Sequence, residues 1–115
     1  MKSQNRVALH IHAKVKPEHI DAFKIAANKT SDIAITEEAC ILINTYQNPD
    51  NPGEFVLYEE WSDKEYLLSD AHQKSEHIQR FFETTIPMLE EDYQYAIYDI
   101  LSEKKGVELS IESNL

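Results

Sequence analysis

The sequence predicts an α+β domain: one antiparallel sheet covered on a single face by two helical crossovers. Three observations carry this. Four segments alternate apolar and polar residues at the period of a strand. Two longer segments repeat apolar residues at the period of a helix. The order is strand, helix, strand, strand, helix, strand, and a dense turn signal separates the two consecutive strands.

The first strand spans Arg6 to Val15. Val7, Leu9, Ile11 and Ala13 share one side, and Ala8, His10, His12 and Lys14 the other. Pro17 then stands where a helix wants its first residue, and Glu18 suits the positive end of the helix dipole. Ile20, Phe23, Ala27 and Ala34 form the apolar stripe of a helix that ends between Asn28 and Ile35. The second strand runs from Cys40 to Gln47. Asn48-Pro49-Asp50-Asn51-Pro52-Gly53 follows, a hairpin loop that reads as too long for a two-residue turn. Glu54 to Trp61 is the third strand.

Ser62 or Asp63 caps the next helix, whose apolar side is Leu67, Leu68 and Ala71. A further helical stretch, Ser75 to Ile86, turns Ile78, Phe81, Phe82 and Thr85 inward, and Pro87 ends it. Tyr93 to Leu101 is the fourth strand. The β-α-β-β-α-β order is the ferredoxin-like split β-α-β plan with a four-stranded antiparallel sheet. Its helices cover one face only. Both faces of the second strand are nonetheless apolar, so a second copy of the chain is the simplest cover for the open one. Residues 1–102 are expected to form this domain, and residues 103–115 a tail that contacts the partner subunit.

The totals narrow the function classes. A chain of 115 residues with 42% hydrophobic residues and only two glycines supports a packed core of one domain. Twenty-one acidic against 11 basic residues give a net charge of −10. No basic stripe exists to displace counterions, so neither nucleic acid nor an anionic membrane is an expected partner. The single cysteine, Cys40, excludes an intramolecular disulfide framework and a cysteine zinc cluster. No apolar run approaches the ~20 residues of a membrane span. The polar N-terminus lacks a signal-peptide core, so a cytoplasmic location is expected.

The most informative segment is Glu54-Phe55-Val56-Leu57-Tyr58-Glu59-Glu60-Trp61 with His72 and His77 beyond it. Alternation puts Phe55, Leu57, Glu59 and Trp61 on one face. A carboxylate beside the only tryptophan, on an otherwise apolar face, is costly unless paired, and is usually kept for a reason. Together these residues outline a pocket with an apolar wall and a few polar groups.

The chain resembles the antibiotic biosynthesis monooxygenase domain over residues 7–101. The resemblance rests on Lys16-Pro17, Glu38-Ala39-Cys40, Tyr46-Gln47-Asn48-Pro49 and above all Tyr58-Glu59-Glu60-Trp61 with His72 and Ser75-Glu76-His77. It implies a homodimeric α+β barrel, each subunit holding its own pocket between sheet and helices. It also implies one of several chemistries: cofactor-independent oxygenation of phenolic polyketides and quinols, haem degradation, or isomerisation of a phosphorylated signalling sugar. Fold alone does not choose among them.

The leading expectation is a monooxygenase that joins O₂ to an electron-rich aromatic, with no metal, flavin or other cofactor. This agrees with the lack of a cysteine cluster or glycine-rich nucleotide loop. His72, Glu59 and Trp61 are the candidate catalytic residues. His72 or Glu59 would remove the proton, and Trp61 would supply a flat wall and one N–H donor. His10, His12, Asn44, Tyr46 and His77 are candidate substrate-binding residues. In haem-degrading relatives a strand-one asparagine lines the pocket near the position of His10, which directs His10 to the same pocket. His10 and His12 also resemble a metal pair, but only Glu59, His72 or Asn44 could complete it, and no metal is expected. Each candidate has a plainer alternative: core packing for Trp61, an ion pair for Glu59, a helix-terminal bond for His72. The rival functions are a non-oxidative isomerase in the same pocket and a small-ligand-binding module without turnover.

Overall fold

Alternation at residues 7–14 becomes β1 (Val7–Lys14), a strand at the centre of the sheet in the computed structural model, which describes residues 5–106. The tail from Val107 onward, and any pairing it makes with a partner, lies outside the described residues. After β1, Pro17 opens a 3-10 turn (Pro17–His19) that leads into α1 (Ile20–Ala34). Proline fits there because the first N–H groups of a helix have no partner to lose. Phe23, Ala27 and Ala34 are the buried face of α1, as the stripe requires.

The sheet continues with β2 (Cys40–Asn48), β3 (Asn51–Trp61) and β4 (Gln94–Asp99), in the order β2-β3-β1-β4 with every pair antiparallel. This is the ferredoxin-like arrangement expected from the element order. Register fixes the two faces. Val7 pairs with Trp61, Leu9 with Glu59 and Ile11 with Leu57, so these six point together under the helices. Phe23 of α1 sits on this face, 4.8 Å from Phe55 and 6.2 Å from Phe81, ring centre to ring centre. Phe23, Phe55, Leu67, Val7, Trp61 and Thr85 are the largest fully buried side chains.

The β2–β3 connection differs from the long loop expected. Asn48 pairs with Asn51, leaving only Pro49 and Asp50 as the turn. The Asp50 N–H donates to Asn48 Oδ1 at 2.9 Å, and proline presets the first corner. The register then jumps from Asn48↔Asn51 to Gln47↔Phe55, so Pro52, Gly53 and Glu54 bulge out of β3. The run of turn residues therefore encodes a tight turn followed by a bulge. Gly53 earns its place in that bulge: a Cβ there would lie 2.5 Å from the Val15 carbonyl oxygen.

The second crossover also differs. Its first helical stretch is broken at Ser69 into α2 (Lys64–Leu68) and α3 (Asp70–Gln73), followed by α4 (Glu76–Thr85). Asp63 caps α2 by accepting from the Glu65 N–H at 3.0 Å. The Ser69 hydroxyl donates to the Tyr66 carbonyl at 2.6 Å and faces the His72 N–H, so it ends one helix and starts the next. Because of this break only Leu67 is buried. Leu68 and Ala71, expected on the same apolar side, are exposed. Pro87 lies in a closing 3-10 turn (Ile86–Met88), as a proline after a helix should. No helix among the described residues is long and apolar enough to cross a membrane.

Candidate functional site

A cavity of about 360 Å³ separates the sheet from the helices. Leu9, Ile11 and Leu57 form its floor, Ala27, Thr30 and Ala34 of α1 one wall, and Ile78, Phe81 and Phe82 of α4 another. Glu59 and His72 are set into this apolar lining. Among the described residues, Tyr95 is its other ionisable residue, and no lysine or arginine lines it. The size suits a small, largely apolar ligand fixed by a few polar groups.

Trp61 is wholly buried behind Glu59, and its Nε1–H donates to Glu59 Oε1 at 2.8 Å. The bond spans residues two apart on one strand face, which alternation makes neighbours. It orients the carboxyl and leaves Oε2 without a described partner. Burial pushes the Glu59 carboxyl above the ordinary carboxylate range, against the opposing effects of the Trp61 bond and of nearby His72. A carboxyl held so keeps a proton more readily than a solvated one does.

The raised value carries a stability consequence. The folded state holds the Glu59 proton more tightly than the unfolded chain does. That contribution is fully present below the unfolded carboxylate pKa and is lost as pH rises through the raised folded one. Glu59→Gln, which still accepts from Trp61, is therefore expected to raise Tm at pH 7–8. The gain should fade as pH falls below about 4, the unfolded carboxylate range. Thermal unfolding across that range checks it.

His72 is 3% exposed and lies edge-on to Trp61, with ring centres 4.6 Å apart. It is carried on the short α3 that Ser69 creates. Its Nδ1 meets Glu37 Oε1 at 2.8 Å. His77 Nε2 meets the other oxygen of the same carboxylate, also at 2.8 Å, and the Tyr66 hydroxyl donates to Oε1. Burial works to raise the Glu37 pKa, but the bonds from Tyr66, His72 and His77 outweigh it and hold the carboxyl below its usual range. Glu37 and Tyr66 were not among the expected site residues. Glu37 sits in the turn after α1, pinned by its N–H to the Ala34 carbonyl and by the Cys40 N–H to its own carbonyl, both at 3.0 Å.

The structure thus brings together His72, Glu59 and Trp61, with His77 one carboxylate away. His77 is not in the lining of this cavity. It borders an outer groove between α1 and α4, with Ile25, Lys29 and Arg80. The other four expected residues do not line this cavity. His10, His12, Asn44 and Tyr46 lie on the opposite, open face of the sheet and do not reach the cavity. Strand parity is the reason: His10 pairs with Tyr58, His12 with Val56, Asn44 with Tyr58 and Tyr46 with Val56, all one residue out of step with Leu57 and Glu59.

On the open face these residues satisfy one another. His10 lies edge-on between Tyr58 and Tyr98, with ring centres at 5.0 and 5.4 Å. His12 Nε2 meets Glu54 Oε2 at 2.7 Å, and Asn44 Nδ2 donates to the Tyr46 hydroxyl at 2.9 Å. Glu60, the neighbour of Glu59, also faces this side. It accepts from Arg6 at 2.7 Å and from the Tyr58 hydroxyl at 2.8 Å. No group of three or more His, Cys, Asp or Glu side chains among the described residues is arranged to hold a metal ion.

Comparison with known proteins places this arrangement. No curated protein matches the chain. Among solved structures, a conserved protein from Methanosarcina mazei Go1 is 28% identical, with a TM-score of 0.76 over 84% of this chain and 94% of that one. A protein from Nitrosomonas europaea, provisionally named an antibiotic biosynthesis monooxygenase, is 26% identical, with a TM-score of 0.79 over 85% and 92%. Rv0793 from Mycobacterium tuberculosis, at 21% identity, shares the fold with a TM-score of 0.78 over 87% and 99%. The sequence profile described as antibiotic biosynthesis monooxygenase matches residues 6–84, which include His72, Glu59, Trp61 and Glu37, and the chain belongs to that family.

Proposed function

We propose that this protein is a cofactor-independent monooxygenase acting on a small, uncharged, electron-rich aromatic such as a quinol or an anthrone-like phenol. The observation that carries the reading is the cavity. Its lining is apolar and, among the described residues, holds no lysine or arginine, and it exposes one imidazole and one carboxyl beside a tryptophan. His72 acts as the base at Nε2 and takes a proton from the substrate. The resulting anion gives one electron to O₂, and the radical pair closes a C–O bond. The peroxide then takes back the proton and loses water. For an anthrone-like substrate the balance is a CH₂ group and O₂ converted to C=O and H₂O; for a quinol, one ring C–H is oxygenated and the quinol and O₂ give the hydroxyquinone and H₂O.

Glu59, fixed by Trp61, is the second group able to hold a proton during these steps. Thr30 and Gln73 of the lining supply hydrogen bonds to the substrate oxygen, the role that sequence reasoning gave to Asn44, Tyr46 and His10. The low-dielectric wall strengthens every one of these interactions. The lack of lysine and arginine among the described lining residues takes support from the phosphorylated-sugar isomerase reading, since a phosphate wants such partners. The test is oxygen consumption by metal-stripped protein with a panel of hydroquinones and anthrones. Uptake with a stoichiometric product that carries one added oxygen atom, and without hydrogen peroxide, supports the proposal. No uptake across the panel, with the same compounds binding tightly, would replace it with the binding-module reading.

The open sheet face belongs to the same proposal. Tyr46 and Tyr98 are exposed there beside His10 and Val56, a surface of the kind that a second sheet covers. The protein is expected to be a homodimer at micromolar concentration. Light scattering should return twice the chain mass, and a clean monomer would sink the barrel arrangement.

A further inference from the structure

We propose that Glu37 is the positioning residue of this site: it locks the His72 ring with its proton on Nδ1, so that the Nε2 lone pair serves the cavity, and His77 and Tyr66 hold it in place. The inference rests on the reading of His72 as the base. The argument begins with what an ionised carboxylate can do. It accepts hydrogen bonds and donates none. Any ring nitrogen within bonding distance of it therefore carries hydrogen. His72 meets it through Nδ1 and His77 through Nε2, both at 2.8 Å. A neutral imidazole protonated at Nδ1 has its lone pair at Nε2. That nitrogen has no partner among the described side chains, and the ring lines the cavity.

The three donors have a further effect. Tyr66 and His72 share Oε1 while His77 occupies Oε2, so the carboxylate cannot rotate without breaking bonds on both sides. Its side chain is largely buried, and so is that of His77. When His72 takes up a proton, the new imidazolium already faces a negative partner. Glu37 itself is not in the cavity lining and acts through His72. Its loss should therefore cost part of what the loss of His72 costs.

The test has a readout that needs no substrate. Nitrogen-15 shifts of the histidine rings in the wild-type protein should show His72 protonated at Nδ1 and His77 at Nε2. His72 protonated at Nε2 instead would overturn the proposal without any variant. Glu37→Gln then separates charge from orientation. Its single carbonyl oxygen satisfies Tyr66 and His72, so its amide must donate to His77, and the His77 tautomer should invert while that of His72 stays. The expected fall in kcat is about tenfold, with KM unchanged.

Glu37→Ala removes orientation as well, and kcat should fall by on the order of 10² to 10³ while the His72 tautomer becomes mixed. Wild-type kcat in a folded Glu37→Ala protein that still depends on His72 would refute the positioning role and leave the base assignment standing. Full turnover in His72→Gln would remove the base assignment instead, and the ring shifts would still decide what Glu37 holds.

Discussion

Replacing His72 with Gln is expected to lower oxygen-consuming turnover by on the order of 10³ to 10⁴, the full worth of a well-placed general base. The substitution is chosen so that little else changes. Glutamine can still donate to Glu37 Oε1, so the buried carboxylate keeps a partner. The bond from the residue's backbone N–H to the Ser69 hydroxyl is untouched. Stability should therefore move by no more than about 1 kcal/mol, the scale of one altered hydrogen bond. Binding of a non-reacting aromatic should persist, because the apolar walls supply most of it. Initial rates of oxygen uptake, set beside calorimetric binding of that analogue, check both halves. Retained turnover would show that the proton leaves by way of Glu59 or that the chemistry is not acid–base at all.

Trp61→Ala is expected to cost about 3–5 kcal/mol of folding stability, the range for emptying a wholly buried indole site. Trp61 is 0% exposed and is the largest of the fully buried side chains. Two losses combine. The void behind Glu59 forfeits packing against Tyr66 and His72, whose rings lie 6.1 and 4.6 Å away. Glu59 Oε1 also loses its donor, which makes this half-buried carboxylate more expensive. Urea denaturation measures the sum. Trp61→Phe keeps most of the wall and removes the N–H, so its cost should be well below that of alanine, at about 1–3 kcal/mol. Equal costs for the two would show that the hydrogen bond, not the packing, dominates.

How much of this was legible in the sequence follows from the range of each interaction. The strands were legible because alternation is a local signal, and Pro17, Asp63 and Pro87 mark boundaries through backbone chemistry that depends on one or two residues. The Trp61–Glu59 pair was legible for the same reason: two residues apart on a strand face is a fixed geometry. Glu37 was not. It meets Tyr66, His72 and His77 across 29, 35 and 40 residues of chain, and nothing in Thr36-Glu37-Glu38 distinguishes it from a solvated turn.

The misplaced residues show a subtler limit. That His10 and His12 share a face was correct, and so was the shared face of Asn44 and Tyr46. Which face meets the helices depends on cross-strand register, which pairs Leu9 with Glu59 and so sends His10 to the other side. The break at Ser69 escaped because Leu67, Leu68 and Ala71 fit one helical stripe. A serine hydroxyl competing for the Tyr66 carbonyl overrides that stripe.

The parity of β3 has a consequence for how such a protein can diverge. Its odd positions from Phe55 to Trp61 carry the cavity side, and its even positions from Glu54 to Glu60 carry the open side. Single substitutions can therefore retune substrate chemistry and subunit contacts independently, one face at a time. A one-residue insertion or deletion between Phe55 and Trp61 cannot, because it would exchange the two sets at a stroke and carry Glu59 and Trp61 to opposite surfaces from their partners. Length variation among descendants of this sequence is then confined to places such as the Pro49–Asp50 turn and the bulge after it, where extra residues leave the pairing beyond them in step.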